Sequence, residues 1–204
     1  MKLLTADYLL PVSAPPIPEG GVLIEEGTIR AVGRSKELLK KYGGAERRDY
    51  PDALLMPGLI NCDTRLDFLS FDGTGREPNF IDWILARLEH RQRVTQEERR
   101  ANLAEGVTRL IRSGTTCAGD VGDFSGLLQP LSKTRLRWTL FPEILTSAEA
   151  DVEDRYHSLF AAAEEIRKLN SPRIRAGLAP YSAYTLSRHL LKIIARQAAE
   201  SCLP

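Results

Sequence analysis

The sequence predicts an α/β protein in which a small β-rich segment precedes a partial (β/α) barrel. Two observations carry this. Strand-like apolar runs with Gly-containing turns fill residues 1–57, and beyond residue 60 the pattern becomes an alternation of strand and helix. An alternation of that kind makes a parallel sheet covered by helices, and about four repeats are half of an eight-stranded barrel. The expected boundaries are a β-rich N-terminal subdomain over 1–57 and the first half of a barrel over 58–204.

The elements follow in chain order. Val22 to Glu25 and Thr28 to Gly33 flank Glu26-Gly27, and two β-rich runs around a short Gly-containing turn read as a hairpin. Ser35 to Tyr42 reads as a short helical or looped insert closed by Gly43-Gly44. Leu54 to Asn61 is a nearly continuous apolar run, which suits a strand buried on both faces.

Thr95-Gln96-Glu97-Glu98 is a capping box, in which the Thr95 hydroxyl and the Glu98 carboxylate satisfy free N–H groups at a helix start. Leu103, Val107, Leu110 and Ile111 follow at helical spacing, and Gly114 ends the helix. Thr115 to Val121 reads as a strand, as does Arg137 to Ile144, with Trp138, Leu140 and Ile144 on alternating positions. Asp151 is placed to cap a helix carrying Tyr156, Leu159, Phe160, Ala163, Ile166 and Leu169, stopped by Pro172. Arg173 to Ala179 is the fourth strand. Ser187 caps a last helix with Leu190, Leu191, Ile194 and Ala198.

Composition narrows the function classes. The 204 residues carry a formal net charge of +1, so neither sign dominates and no nucleic-acid or membrane surface is indicated. Arg91, Arg93, Arg99 and Arg100 stand among Glu89, Glu97 and Glu98 and read as a solvated helix face. The 3 cysteines, Cys62, Cys117 and Cys202, match no zinc spacing and read as free thiols. No segment approaches the ~20 apolar residues of a membrane span. A cytoplasmic location is the expectation.

Two blocks then point to a family. Gly27-Thr28-Ile29-Arg30-Ala31-Val32-Gly33, followed by Leu55-Met56-Pro57-Gly58-Leu59-Ile60-Asn61, resembles the opening of the amidohydrolase superfamily. More narrowly it resembles the branch of cytosine deaminases, chlorohydrolases and aminofutalosine deaminases. The resemblance continues through Phe80-Ile81-Asp82-Trp83, Ser113-Gly114-Thr115-Thr116 and Gly177-Leu178-Ala179-Pro180. It implies a (β/α)8 barrel and hydrolysis of a C–N bond in a nucleobase-like small molecule. It also implies a zinc or iron ion held in part by a His-x-His pair at the end of the first barrel strand. Side chains at i and i+2 on a strand point the same way, so two imidazoles so placed share one metal, whose bound water becomes the nucleophile.

In this chain those positions are Asp63 and Arg65. A carboxylate can bind a metal, but a guanidinium has no lone pair to offer and stays protonated. The reading is therefore a degenerate metal site in which Asp63 and Arg65 pair with each other. Where the family pattern has a histidine after Ala-Pro, this chain has Tyr181, read as plugging or reshaping a vestigial pocket. Asp67 falls where the resemblance implies a substrate contact. Asp120 and Glu143 lie near strand ends, where barrels carry functional side chains. His90, His157 and His189 read as solvent-facing helix residues, and Gly73-Thr74-Gly75 as a loop with no phosphate role.

The expectation is a chain without catalysis or metal cofactor of its own. It is a degenerate, truncated hydrolase, a pseudoenzyme binding a small molecule, or one half of a split enzyme. The partners expected are a small-molecule ligand and either a second copy or a separate C-terminal half.

Overall fold

The structure, a computed structural model, describes residues 1–71, 78–144, 152–181 and 186–203. The cap expected at Asp151 and the Gly73-Thr74-Gly75 loop lie outside the described residues. The chain divides into two compact units, Met1–Gly58 and Leu59–Pro204.

The first unit is a four-stranded sheet in the order β3-β2-β1-β4, with β1 at Lys2–Leu9, β2 at Ile17–Glu25, β3 at Thr28–Arg34 and β4 at Glu46–Leu55. β1 runs antiparallel to β2 and parallel to β4. The hairpin forms as expected. Glu26 and Gly27 both take positive φ, 50° and 76°, as a turn whose twist matches the strands requires. Helix α1, Ser35–Lys41, lays Leu38 on one face of the sheet against Leu3 and Leu23, and this small cluster is the unit's core.

The second unit is a parallel sheet in the order β5-β6-β7-β8, from Leu59–Thr64, Thr115–Gly122, Arg137–Ile144 and Ile174–Ala176. A short strand β9, Ala179–Pro180, pairs with β7 beyond the end of β8. The fourth strand is thus split. After Ala176 the chain leaves the β8 ladder, although the Gly177 amide still donates to the Leu140 carbonyl.

The apolar run Leu54 to Asn61 does not form one strand buried on both faces. It breaks between β4 and β5 around Pro57, and Leu54, Leu59 and Ile60 are exposed, Ile60 at 68%. β5 is an edge strand bonded only to β6 among the described strands, so its apolar side chains lack the neighbours that a central strand has.

Among the described residues, five helices pack on or beside this sheet. They are α2 (Phe80–Arg93), α3 (Gln96–Arg112), the short α4 (Leu128–Ser132), α5 (Val152–Lys168) and α6 (Arg188–Glu200). The Thr95–Glu98 capping box of α3 is complete in both directions, and Ser187 caps α6 by accepting from the Leu190 amide. Leu103, Leu110, Leu131, Trp138, Leu140, Leu159, Ile166 and Leu190 are buried in one cluster between sheet and helices. Ile111, expected on the buried face of α3, is 51% exposed. Among the described residues, no helix is long and apolar enough to cross a membrane.

Candidate functional site

All strands of the second unit run in one direction, so their C-terminal ends share one edge of the sheet. Four of the sequence-selected residues come from these ends or just past them: Arg65, Asp67, Asp120 and Glu143. Tyr181 follows β9 at the same edge. α2 adds Arg87 and Arg91.

Glu143 is the centre of the arrangement. Its side chain is 0% exposed, and its two oxygens are each bound 2.6 Å from a guanidinium, Oε1 by Arg65 Nη1 and Oε2 by Arg91 Nη1. A buried carboxylate needs partners on both oxygens, and two charge-assisted bonds supply them. Burial works against the Arg65 charge, but the hydrogen bond and the charge of Glu143 outweigh it and raise the Arg65 pKa. The Arg65 guanidinium also lies 5.8 Å from the centre of the Tyr181 ring.

The expected partner of Arg65 was Asp63, and this is corrected. Asp63 is exposed and forms no ion pair with Arg65; it acts on Arg65 only through its charge. The pairing went instead to Glu143, two strands away. Arg65 follows the last residue of β5, where the chain turns into the short 3-10 segment Leu66–Phe68, so alternation along the strand no longer governs its direction. The solvated-face reading of the arginines is corrected as well. Arg93 is exposed and pairs with Glu89 on its own helix, but Arg91 reaches Glu143 and Arg99 reaches Asp123 at 2.6 Å.

Asp120 is buried, 3% exposed, on β6. Its Oδ1 accepts from the Thr64 hydroxyl at 2.7 Å and from the Leu66 amide at 3.1 Å, which ties β6 to the end of β5. Burial nonetheless pushes its pKa up to about 7, because these bonds only partly offset desolvation.

Asp67 is the unusual member. Its side chain is 7% exposed, and neither carboxylate oxygen has a hydrogen-bond partner. The Arg91 Nε lies 3.9 Å from Oδ2, too far for a hydrogen bond. Burial pushes its pKa up to about 6. A Cβ on Gly122 would stand 3.1 Å from the Asp67 carboxylate, so the bare backbone of β6 makes room for it. The same neighbourhood holds a second orphan. Arg87 Nη2 is buried without a partner, while the guanidinium sits 4.0 Å over the Phe68 ring and 5.4 Å from that of Trp83. Burial and the charge of Arg65 lower the Arg87 pKa.

Of the histidines, His157 and His189 are exposed, whereas His90 is half-buried, with Nε2 3.2 Å from the Ser70 hydroxyl and its ring 5.4 Å from that of Phe71. Cys62 and Cys202 are exposed, Cys117 is half-buried, and all three are free.

Parallel strands feeding a charged cluster at their C-terminal ends are the arrangement of the β/α-barrel class, whose functional side chains sit at that face. The chain belongs to the Amidohydrolase family, which matches it over residues 54–204. It is 27% identical to the aminodeoxyfutalosine deaminase of Nitratiruptor sp. over 164 residues, 80% of this chain and 40% of that protein. It is 28% identical to the aminodeoxyfutalosine deaminase of Deinococcus radiodurans over 212 residues, 100% of this chain and 47% of that protein. Its fold matches the crystal structure of Helicobacter pylori aminofutalosine deaminase in complex with methylthio-coformycin. The TM-score is 0.89 and the identity 18%, covering 100% of this chain and 49% of that one. Guanine deaminase from C. acetobutylicum matches with a TM-score of 0.84 at 14% identity, again over 100% of this chain and 51% of that one. The chain thus spans under half the length of these two curated relatives, and the partial barrel corresponds to about half of the solved folds.

The resemblance implies a divalent metal at the end of β5, and the residues present do not fit one. Both Glu143 oxygens are taken by guanidinium groups, Asp120 is engaged by Thr64 and Leu66, and Arg65 puts a fixed cation where a ligand would stand. Among the described residues, no group of three or more His, Cys, Asp or Glu is gathered closely enough to hold a metal ion.

Arg87 and Arg91 were missed as site residues from the sequence. A signal existed: neither has an acidic residue three or four positions away on its helix, whereas Arg93 has Glu89.

Proposed function

We propose that this chain is part of an amidohydrolase-fold protein whose first metal position has become an ion-pair lattice, and that its charged mouth binds a nucleobase-like small molecule without metal-dependent hydrolysis. The observation that supports this is the Arg65–Glu143–Arg91 bridge. Two guanidinium groups supply, at the strand ends, the positive charge that a divalent ion supplies in the family pattern. They hold a buried carboxylate but cannot activate a water molecule as a metal does. Relatives named 5'-deoxyadenosine deaminase support a purine-derived ligand class.

Elemental analysis of the full chain, purified without chelator, tests the reading. The expected result is zinc and iron far below one per chain, with no gain on adding either. Near-stoichiometric metal that is lost in Asp63→Ala overturns it.

A second reading is favoured by β5. Its exposed Leu59 and Ile60 and its single-sided pairing suit a strand awaiting a neighbour. On this reading the chain is one half of a hydrolase, completed by a second copy or by a separately encoded C-terminal half. Sedimentation at micromolar concentration separates the cases. A compact monomer with cooperative unfolding rejects the second reading.

A further inference from the structure

Three chain segments meet at one hydroxyl. Ser70 lies just past the short 3-10 segment Leu66–Phe68, His90 is on α2 and Asn102 is on α3. Asn102 Nδ2 donates to Ser70 Oγ at 2.9 Å, and His90 Nε2 stands 3.2 Å from the same oxygen. Asn102 is 8% exposed, His90 is half-buried and Ser70 is exposed. A fixed amide and a packed ring thus hold a hydroxyl that a molecule from solvent can reach.

The hydrogen bonds place the hydroxyl proton. A serine oxygen has two lone pairs and one proton. Asn102 takes one lone pair. With its own proton on Nδ1, the His90 ring accepts the hydroxyl proton at Nε2, and the second lone pair of Oγ stays free. That is the arrangement of a nucleophile beside its base, with a third group orienting them. The imidazolium formed on proton transfer sits in the last turn of α2, the helix end that suits a cation.

A row of flat rings leads to this pair. The Phe71 ring is centred 5.4 Å from that of His90 and 6.2 Å from that of Trp83. Trp83 in turn stacks on Phe80, with ring centres 6.1 Å apart and planes 17° from parallel, and Phe80 is 61% exposed. An aromatic group laid along this row brings a bond beside its ring toward Ser70.

We propose that Ser70, with His90 as its base, is a nucleophilic site that takes the acyl group of an activated aryl ester. The proposal does not depend on the small-molecule reading of the strand ends. In the step itself, Ser70 Oγ bonds to the ester carbonyl carbon and its proton passes to His90 Nε2. The bond from that carbon to the aryl oxygen breaks, the phenolate leaves with the electron pair, and the His90 proton is returned to water. Asn102 is a positioning residue, since it touches the hydroxyl and not the ester.

The test is acetylation of the full chain by p-nitrophenyl acetate, quenched in acid, with the acetylated residues mapped by peptide mass spectrometry. Ser70 should react at least tenfold faster than Ser13 and Ser125, exposed serines with no bond to a histidine. His90→Ala should slow Ser70 at least tenfold, and added imidazole should restore the rate at Ser70 but not at Ser13. Asn102→Asp, whose carboxylate draws the hydroxyl proton away from His90, should lower the maximal rate and leave the half-saturating ester concentration unchanged. Phe71→Leu should raise that concentration. The ranking of serines on the unaltered chain decides the matter even if a variant fails to fold. Ser70 reacting no faster than Ser13 and Ser125, or as fast in His90→Ala as in the unaltered chain, overturns the proposal. An unchanged half-saturating concentration in Phe71→Leu overturns the assignment of aryl esters.

Discussion

Arg30–Glu25 on the hairpin of the first unit and Arg65–Glu143–Arg91 at the strand ends of the second are built from the same two chemical groups. Their settings differ. Arg30 and Glu25 are 54% and 39% exposed and meet at 3.0 Å across a turn, whereas Glu143 has no exposure at all and holds two cations. Water screens the first pair and supplies either partner if the other is removed. Nothing replaces a lost partner of Glu143. Ion pairing is therefore peripheral at this hairpin and structural at the strand ends, and the distinction lies in burial rather than in the contact distance.

The largest effect that would break this comparison is at Glu143. Glu143→Leu leaves two guanidinium groups facing an apolar side chain and should lower the unfolding free energy by ~3–5 kcal/mol in a denaturant titration. A loss under about 1 kcal/mol would mean that both arginines turn to solvent without cost. Next comes the cycle of Arg65→Met, Glu143→Gln and the double change. Residues in direct contact couple by ~0.5–3 kcal/mol, so the double variant should be more stable than the sum of singles predicts. The same cycle with Asp63→Asn should be near additive, since Asp63 makes no ion pair with Arg65.

Acidity sharpens the comparison further. Asp67 and Asp120 have folded-state pKa values of about 6 and about 7, above the ordinary 3.8. The folded chain therefore holds more protons than the unfolded chain between these limits. The stability gained is fully present below pH 3.8 and is lost as pH rises through 6 and 7. For these two groups, stability falls between pH 4 and pH 7, opposite in sense to a salt-bridged carboxylate. Asp120→Asn should flatten the decline in a series of melting curves. The smallest effect is at the exposed pair: Arg30→Ala should cost ~0.2–1 kcal/mol, and the difference should fade in high salt.

The fold was largely readable from the chain because periodicity and caps are local. Thr95–Glu98, Ser187 and the Glu26-Gly27 turn each state their geometry within four residues, and each appears where expected. The run Leu54 to Asn61 misled because apolar content does not say which strand is at an edge. The site was half readable. Asp120 and Glu143 were singled out by their place near strand ends, and Arg65 and Asp67 by their place in the family resemblance, but the partner of Arg65 depends on which strand ends become neighbours, and that is a property of the assembled sheet. Arg91 was hidden by its neighbours: amid Glu89 and Arg93 it looks like one more surface charge, and only the crossing of α2 over the strand ends separates them.

Gly106 carries a consequence of a different kind. A Cβ at this position on α3 would stand 2.5 Å from Leu66 Cδ2, well inside contact distance. Leu66 is also the residue whose amide binds Asp120, one position after Arg65 and one before Asp67. One missing carbon on α3 therefore sets how closely this helix approaches the short turn. Gly106→Ala touches no charged group, and the Leu66 side chain would have to shift to admit it. The seat of the residue between Arg65 and Asp67 is thus defined from behind, through steric thickness alone.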